Sequence, residues 1–295
     1  MTTAAELFNV FDYGAIGDGV ADDTVAIQAA ITAAQALYSG ICPGGMLYAP
    51  PGRKFKITSG LTITKPISAD FGSLIYYASS TGAALTIGAS GWQQYHDLKF
   101  KGFLQSVGQN NAMPSSVNTN GATGIRLNNF VFSRLKVDVV QGFTNCGIYM
   151  DGTGAVFSPQ VIQHNRFDFG QIVNCGIGLN MQSLNAATSS VEANRIDISN
   201  IYQNFFGILL DPINASGATT SNRFNIDAMD SANTGAGGQG IVVNGSFNWF
   251  ELTYLDTNVW FGPGSSHNSL YVFNTAATGA SYTAGGSGNS YYIHP

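Results

Sequence analysis

The sequence predicts an all-β solenoid, a single-stranded parallel β-helix, and three observations carry that prediction. Charged residues make up only 10% of the chain and glycines number 36 of 295, the profile of many strands and turns in which strong helix formers are scarce. Gly-Ile recurs at 124–125, 147–148, 176–177, 207–208 and 240–241. An Asn-x-apolar-x-apolar motif follows it in step, as NRFDF at 165, NRIDI at 194, NRFNI at 222, NWFEL at 248, NSLYV at 268 and NSYYI at 289. Short strands repeated every 20–33 residues or so mark stacked coils and not a sandwich.

Composition excludes several functions. Hydrophobic residues at 44% and aromatic ones at 12% offer enough apolar surface to offset the ordering entropy, so the chain is not disordered. A net charge of −5 with only 12 Lys and Arg, and no basic run, argues against nucleic acid as a partner. No stretch approaches the roughly 18 apolar residues of a membrane span, and MTTAAELFNV lacks the basic start and apolar run of a signal peptide. No membrane insertion is expected. Cys42, Cys146 and Cys175 are too few for a disulfide framework, and no Cys-x-x-Cys or Cys/His spacing offers a zinc site. Cys146 and Cys175 stand in two copies of NCGI, at 145–148 and 174–177. These read as one slot on successive coils, where two buried reduced thiols are expected.

From the N terminus, residues 1–45 read as a strand and a capping helix, and 46–295 as one continuous β-helix. DDTVAIQAAITAAQALY (22–38) opens with acidic residues suited to an N-cap and carries apolar residues at Val25, Ala26, Ala29, Ala30, Ala33 and Leu37. Gly40 and Pro43 end it. GGMLYAPPGRKFKITSGLTIT follows as short strands broken by Pro-Pro-Gly and Ser-Gly, and no second helix is expected after it. Beyond 120, each coil is expected to supply a Gly-Ile strand, an Asn-x-apolar strand and a third strand seen in QIVN (171), NIYQ (200), AMDS (228) and YLDT (254). Phe167/Phe169, Ile196/Ile198, Phe224/Ile226 and Phe250/Leu252 point inward and stack as the core. The column Asn128, Asp151, Asn180, Asp211 and Asn244 reads as a turn ladder. Long connections at 152–164, 181–193 and 212–221 give way to three residues at 245–247, and so border one side of a sheet.

FNVFDYGAIGDGVADDTVAIQAAITAA, followed by GGMLYAPPGRKFKI, resembles the N-terminal region of the pectate-lyase-like superfamily of right-handed parallel β-helix proteins. The resemblance covers roughly 55 residues and keeps Asp-Tyr-Gly-Ala, Gly-Asp-Gly, Asp-Asp-Thr-x-Ala-Ile-Gln and Pro-Pro-Gly in order. It implies right-handed coils whose open end the helix covers. It spans pectate lyases, polygalacturonases, glucanases, epimerases and bacteriophage tailspike depolymerases, so it speaks to fold more than to reaction. A tailspike fits best: the chain starts at Met1 with no readable signal, and it ends at NSYYIHP on a core-type strand whose Tyr291 and Ile293 neighbouring chains would cover. That resemblance implies a homotrimer on a virion tail, acting extracellularly on a bacterial capsule, exopolysaccharide or lipopolysaccharide.

Outward positions of the Asn-x-apolar strand carry the candidate chemistry. Arg166, Arg195, Arg223 and Trp249 form one column, and Asp168, Asp197, Asn225 and Glu251 the next. Coils lie about 4.8 Å apart, near the roughly 5–5.5 Å carboxyl separation of a retaining glycosidase, and two coils approach the inverting range. Asp168 with Asp197 is therefore a retaining-type pair and Asp197 with Glu251 an inverting-type one. The same residues would also make a salt-bridge ladder without catalysis. A lyase is a further reading, with Ca²⁺ held by the acids and Arg195 as base, while a hydrolase needs no cofactor. Asp230 and Asp256 fall on adjacent coils in a second column with Tyr202, and Tyr254, Trp249 and Trp260 lie near them as sugar-stacking or packing aromatics. His96, His164, His267 and His294 share no column and read as structural. GAIGDG has no following Gly-Lys-Ser/Thr, which excludes a phosphate loop. Asn214 and Asn244 fit Asn-x-Ser acceptor sequences.

Overall fold

Alternation of inward apolar and outward polar residues gives each strand one buried face. In a computed structural model, which describes residues 6–40, 43–88, 93–105, 114–152, 160–183, 189–210, 219–232, 238–275 and 282–294, these faces enclose one core. Asp211, Asn214 and Cys42 lie outside the described residues. The chain winds as a right-handed parallel β-helix whose walls are sheets of 13, nine and five strands. The first runs from Leu7–Asn9 to Ser290–Ile293 and the second from Leu61–Ile63 to Tyr282–Ala284. The third comprises Gln93–Gln94, Phe130–Val131, Gln160–Gln163, Ser189–Glu192 and Thr219–Thr220.

The third sheet is not where the sequence places it. QIVN, NIYQ, AMDS and YLDT continue the Asn-x-apolar strands, which run as Arg166–Val173, Arg195–Asn204, Arg223–Ala232 and Trp249–Asp256. Each turns a corner midway: Gly170, Ser199, Asp227 and Thr253 drop out of the cross-strand register, and alternation skips there, with Phe169 and Ile172 both inward. The true third sheet lies within the supposed long connections. Its strands of two to four residues are too short to show alternation.

The corner between third and first sheets is built on asparagine. Asn165, Asn194, Asn222, Asn248 and Asn268 each donate backbone N–H and side-chain Nδ2–H to the Oδ1 of the asparagine one coil on, ending at Asn289, at 2.9–3.2 Å. The second Nδ2–H of Asn222 donates to the Val191 carbonyl at 2.9 Å, and its neighbours repeat this. Ser133 extends the ladder by donating to Asn165 Oδ1, and His96 N–H donates to Ser133 Oγ. The sequence interval between rungs falls from 37 at His96–Ser133 to 20 at Asn248–Asn268, so the coils narrow toward the C terminus. Just before each rung sits a residue with positive φ: Tyr95, Phe132, His164, Ala193, Ser221, Phe247 and His267.

The expected turn ladder at 128, 151, 180, 211 and 244 is not a column. Asn180 pairs with Tyr149 and Leu209, while Asp151 pairs with Gln182. The second sheet aligns Gly147 with Gly178 and not with Gly176, because only glycine fits there: a Cβ on Gly147 would lie 2.8 Å from the Gly178 carbonyl oxygen, and one on Gly178 would lie 2.6 Å from that of Gly207. NCGI therefore misleads by two residues. Cys146 pairs with Ile177 and points outward, into an apolar cluster with Leu209 and Val242, whereas Cys175 is in the core. Both thiols are free and buried, as expected. Burial raises both pKa values, that of Cys175 to about 12, so neither offers a thiolate.

The helix, Thr24–Ala36, buries Ile27, Ala30, Ile31 and Ala34 and leaves Val25 81% exposed. The face read from the sequence is thus rotated. Polar groups dock it: the Gln28 amide exchanges two hydrogen bonds with the Thr62 backbone, and Gln35 Oε1 accepts from the Thr64 and Lys65 N–H groups, covering the edge strand of the second sheet. Asp23 does not cap its own helix; its carboxylate accepts from Ile16 and Gly17, and Asp22 accepts from Thr24 instead.

Two outcomes are expected. Asn222→Ala leaves ladder donors and acceptors buried without partners and lowers unfolding free energy by about 2–4 kcal/mol, read by chemical denaturation; a loss below about 1 kcal/mol would contradict the ladder's role. His96 is buried against Phe130, and burial lowers its pKa from 6.5 to about 3. The unfolded chain then binds the extra proton below about pH 6.5 and the folded chain does not until about pH 3, so stability falls as pH drops through that window. Thermal unfolding of His96→Leu should depend less steeply on pH there, and an unchanged slope would count against this.

Candidate functional site on the first sheet

The outward columns stand in the register expected. Arg166 pairs with Arg195, Arg195 with Arg223 and Arg223 with Trp249, while Asp168, Asp197, Asn225 and Glu251 follow one another two positions on. Asp168 and Asp197 are on adjacent coils, and Asp197 and Glu251 are separated by Asn225.

The acids of this column are tied to cations. Arg195 Nε donates to both oxygens of Asp197 at 3.1 and 3.0 Å, Asn225 Nδ2 donates to Oδ1 at 2.5 Å, and Arg166 reaches Oδ2 at 3.6 Å. Glu251 takes Arg223 at 3.2 Å, and Asp168 takes Lys136 loosely at 3.9 Å. This is the geometry of a ladder, since a substrate would have to displace Arg195 or Asn225 to reach Asp197.

Beyond the strand corner the second column differs. Tyr202 pairs with Asp230 and Asp230 with Asp256, one coil apart. Neither acid has a hydrogen-bond or ion-pair partner among the described residues. Tyr254 lies close enough that desolvation and then the charges of Asp256 and Asp230 raise its phenol pKa, which keeps it a hydrogen-bond donor. Trp260 is not part of this group. It stands on the second sheet opposite Val242, packed on the outer apolar cluster.

Sequence reasoning missed three features. Trp249 stacks on Tyr271, and Tyr271 on Tyr292, at 4.4 and 4.9 Å, an aromatic strip continuing the outward face to the last coils. His164 and His267 do share a column, the positive-φ one, where they stack on Phe132 and Phe247 at 5.1 and 4.9 Å. The residue immediately before each ladder asparagine was the available signal. Six cations also gather on the N-terminal coils of this face.

No family model matches the chain. Mannuronan C5-epimerase AlgE6 of Azotobacter vinelandii is 60% identical over 45 residues, 15% of this chain and 5% of that protein. AlgE1 of the same organism is 51% identical over 53 residues, 18% of this chain and 3% of that protein. Among solved structures, a Geobacillus virus E2 protein, ORF18, is similar with a TM-score of 0.63 at 17% identity, over 97% of this chain and 60% of that one. Dettilon tailspike protein gives 0.54 at 14%, over 97% and 62%. An ι-carrageenase complexed to ι-carrageenan fragments gives 0.52 at 14%, over 96% and 58%. The chain thus spans a small part of the curated relatives and about 60% of the viral protein. At these identities the likeness shows the fold alone, a parallel β-helix. No helix among the described residues is long and apolar enough to cross a membrane.

A double-mutant cycle on Arg195→Ala and Asp197→Ala tests the ladder. With Arg195 more than half exposed, a coupling of about 1 kcal/mol or less that fades with salt is expected; a coupling of several kcal/mol would show a pair far more desolvated than this.

Proposed function

We propose that the outward face of the first sheet binds a bacterial surface polysaccharide and that the chain depolymerises it by glycoside hydrolysis at Asp230 and Asp256. The observation that carries this is that these two acids stand on adjacent coils, free of cations among the described residues, beside Tyr202 and Tyr254. One coil is about 4.8 Å, close to the roughly 5–5.5 Å between the carboxyl groups of a retaining glycosidase. One carboxyl attacks the anomeric carbon, while the other protonates the leaving oxygen and then activates the water that releases the glycosyl group. Tyr254 donates a hydrogen bond, and the tyrosine rings offer π faces to sugar C–H groups. The similar structures include a tailspike and a carrageenase bound to carrageenan fragments, which supports a polysaccharide as ligand and a virion tail as its place. The homotrimer implied by the resemblance belongs to the same proposal.

A second reading, binding without cleavage, is favoured by the pairing of Asp168, Asp197 and Glu251 with cations. Following the chain length of host polysaccharide during incubation separates the two. Asp230→Asn and Asp256→Asn are each expected to lower the rate by about 10²–10⁴-fold, with azide restoring turnover in the nucleophile variant, while Asp197→Asn loses far less. Binding without shortening by the unaltered protein would sink the hydrolase reading, and unsaturated products would replace it with a lyase.

A further inference from the structure

Half of the chain's 12 Lys and Arg residues line two adjoining hollows on the N-terminal coils of the first sheet. One, of about 410 Å3, is lined by Lys99, Lys101, Arg134 and Lys136 with Asp70 and Asp138. The other, of about 370 Å3, adds Arg53 and Lys54 and shares Lys101 and Gly72 with the first. Six cations therefore face two acids in a chain whose net charge is −5.

Lys99 stands directly across from Lys136 on one side and Asp70 on the other, and Arg134 directly across from Arg166 and Asp97, so each of these cations has one like and one opposite charge in the opposed positions. Lys101 is relieved by Asp138 at 2.9 Å and Lys136 by Asp168 at 3.9 Å. Lys99 and Arg134 have no ion-pair partner among the described residues. The middle coils show what a purely structural solution looks like, with each arginine answered by an acid. Around the hollows the six cations nevertheless outnumber the lining acids Asp70 and Asp138, and an excess of one sign on a concave surface draws a ligand of the opposite charge.

We infer that these hollows form an anion-binding subsite for the acidic groups of a glycan, so that the polymer taken by this face is an acidic polysaccharide. The inference rests on the reading above that the face takes a polysaccharide. Guanidinium forks and ammonium groups match carboxylate or sulfate oxygens. The coil spacing of about 4.8 Å is close to the rise of one sugar unit along an extended glycan, so acids on successive sugars meet cations on successive coils. Nucleic acid fits poorly, because Asp168, Asp197 and Glu251 continue the same face and would oppose a chain bearing phosphate at every unit.

The test is titration of the protein with oligogalacturonate, dextran sulfate, neutral dextran and single-stranded DNA, using the unaltered chain, a Lys99→Ala/Arg134→Ala variant and a Lys65→Ala control outside the hollows. Both acidic glycans should bind and neutral dextran should not. The double variant should lose about tenfold or more in affinity, as should added salt. Lys65→Ala should bind unchanged, and thermal unfolding of the double variant checks that it remains folded at the temperature of the titration. Equal binding of neutral dextran, tighter binding of DNA, or an unaffected double variant would overturn the subsite. The same proteins in the depolymerisation assay keep the two readings apart. Cleavage of host polysaccharide that the double variant retains in full removes the subsite and leaves the hydrolase; tight binding of acidic glycans with no cleavage of host polysaccharide leaves the subsite and removes the hydrolase. Binding of no glycan at all removes both.

Discussion

The constraint on which the rest depends is the hydrogen-bond ladder from Asn165 to Asn289. Each rung before the last uses its backbone N–H, both Nδ2–H groups and its Oδ1, so these side chains are buried with their polar atoms satisfied. A net contribution of about 1 kcal/mol per bond is modest, but a shifted coil would leave buried amides unpaired at a larger cost. Strand register is therefore pinned at one point in every coil. Since a slip of one residue would exchange inward and outward side chains, that pin decides which residues form the outer columns.

In-register parallel stacking sets like above like. For apolar residues this is an advantage: Phe224 and Phe250 stack at 4.5 Å in the core, and Trp249, Tyr271 and Tyr292 stack outside it. For charges it is a liability, and the middle coils resolve it diagonally, with Arg166 reaching Asp197 and Arg223 reaching Glu251. The outer face thus changes along its length, from cationic around Lys99 and Arg134, through alternating charges, to aromatic at the last coils. A ligand lying across the coils would meet these three environments in turn.

What was legible in the sequence follows from the same stacking. The Asn-x-apolar motif combines a marker residue with period-two alternation, so the columns through Arg166 and Asp168 could be placed correctly; Asp230 and Asp256 fell into line although AMDS and YLDT were read as a separate strand, because both lie at the same offset from the marker asparagine. NCGI failed because the second sheet repeats there at 31 residues, Cys146 pairing with Ile177, and not at the 29 that separate the two copies, so one interval does not serve all sheets. The helix face failed because Gln28 and Gln35 dock it with amide groups that a hydrophobic pattern ignores. The cationic hollows were hidden for a different reason. Their residues come from coils before the repeats become regular, where the interval is 37, and no local run of charge announces them.

The positive-φ column bears on the same face. Each of its residues lies two positions before the Arg166 column, so its side chains form a rim along that edge of the first sheet. Bulky residues take this conformation at a cost that glycine would avoid, yet Tyr95, Phe132, Phe247 and the two histidines occupy it, exposed and stacked in pairs. Ala193 and Ser221, at the coils of Asp197 and Asn225, are the small members. The rim is therefore high beside the cationic and aromatic ends of the face and low at its middle coils. A polymer held across the coils would be walled at both ends and least hindered where the two columns of acids run side by side.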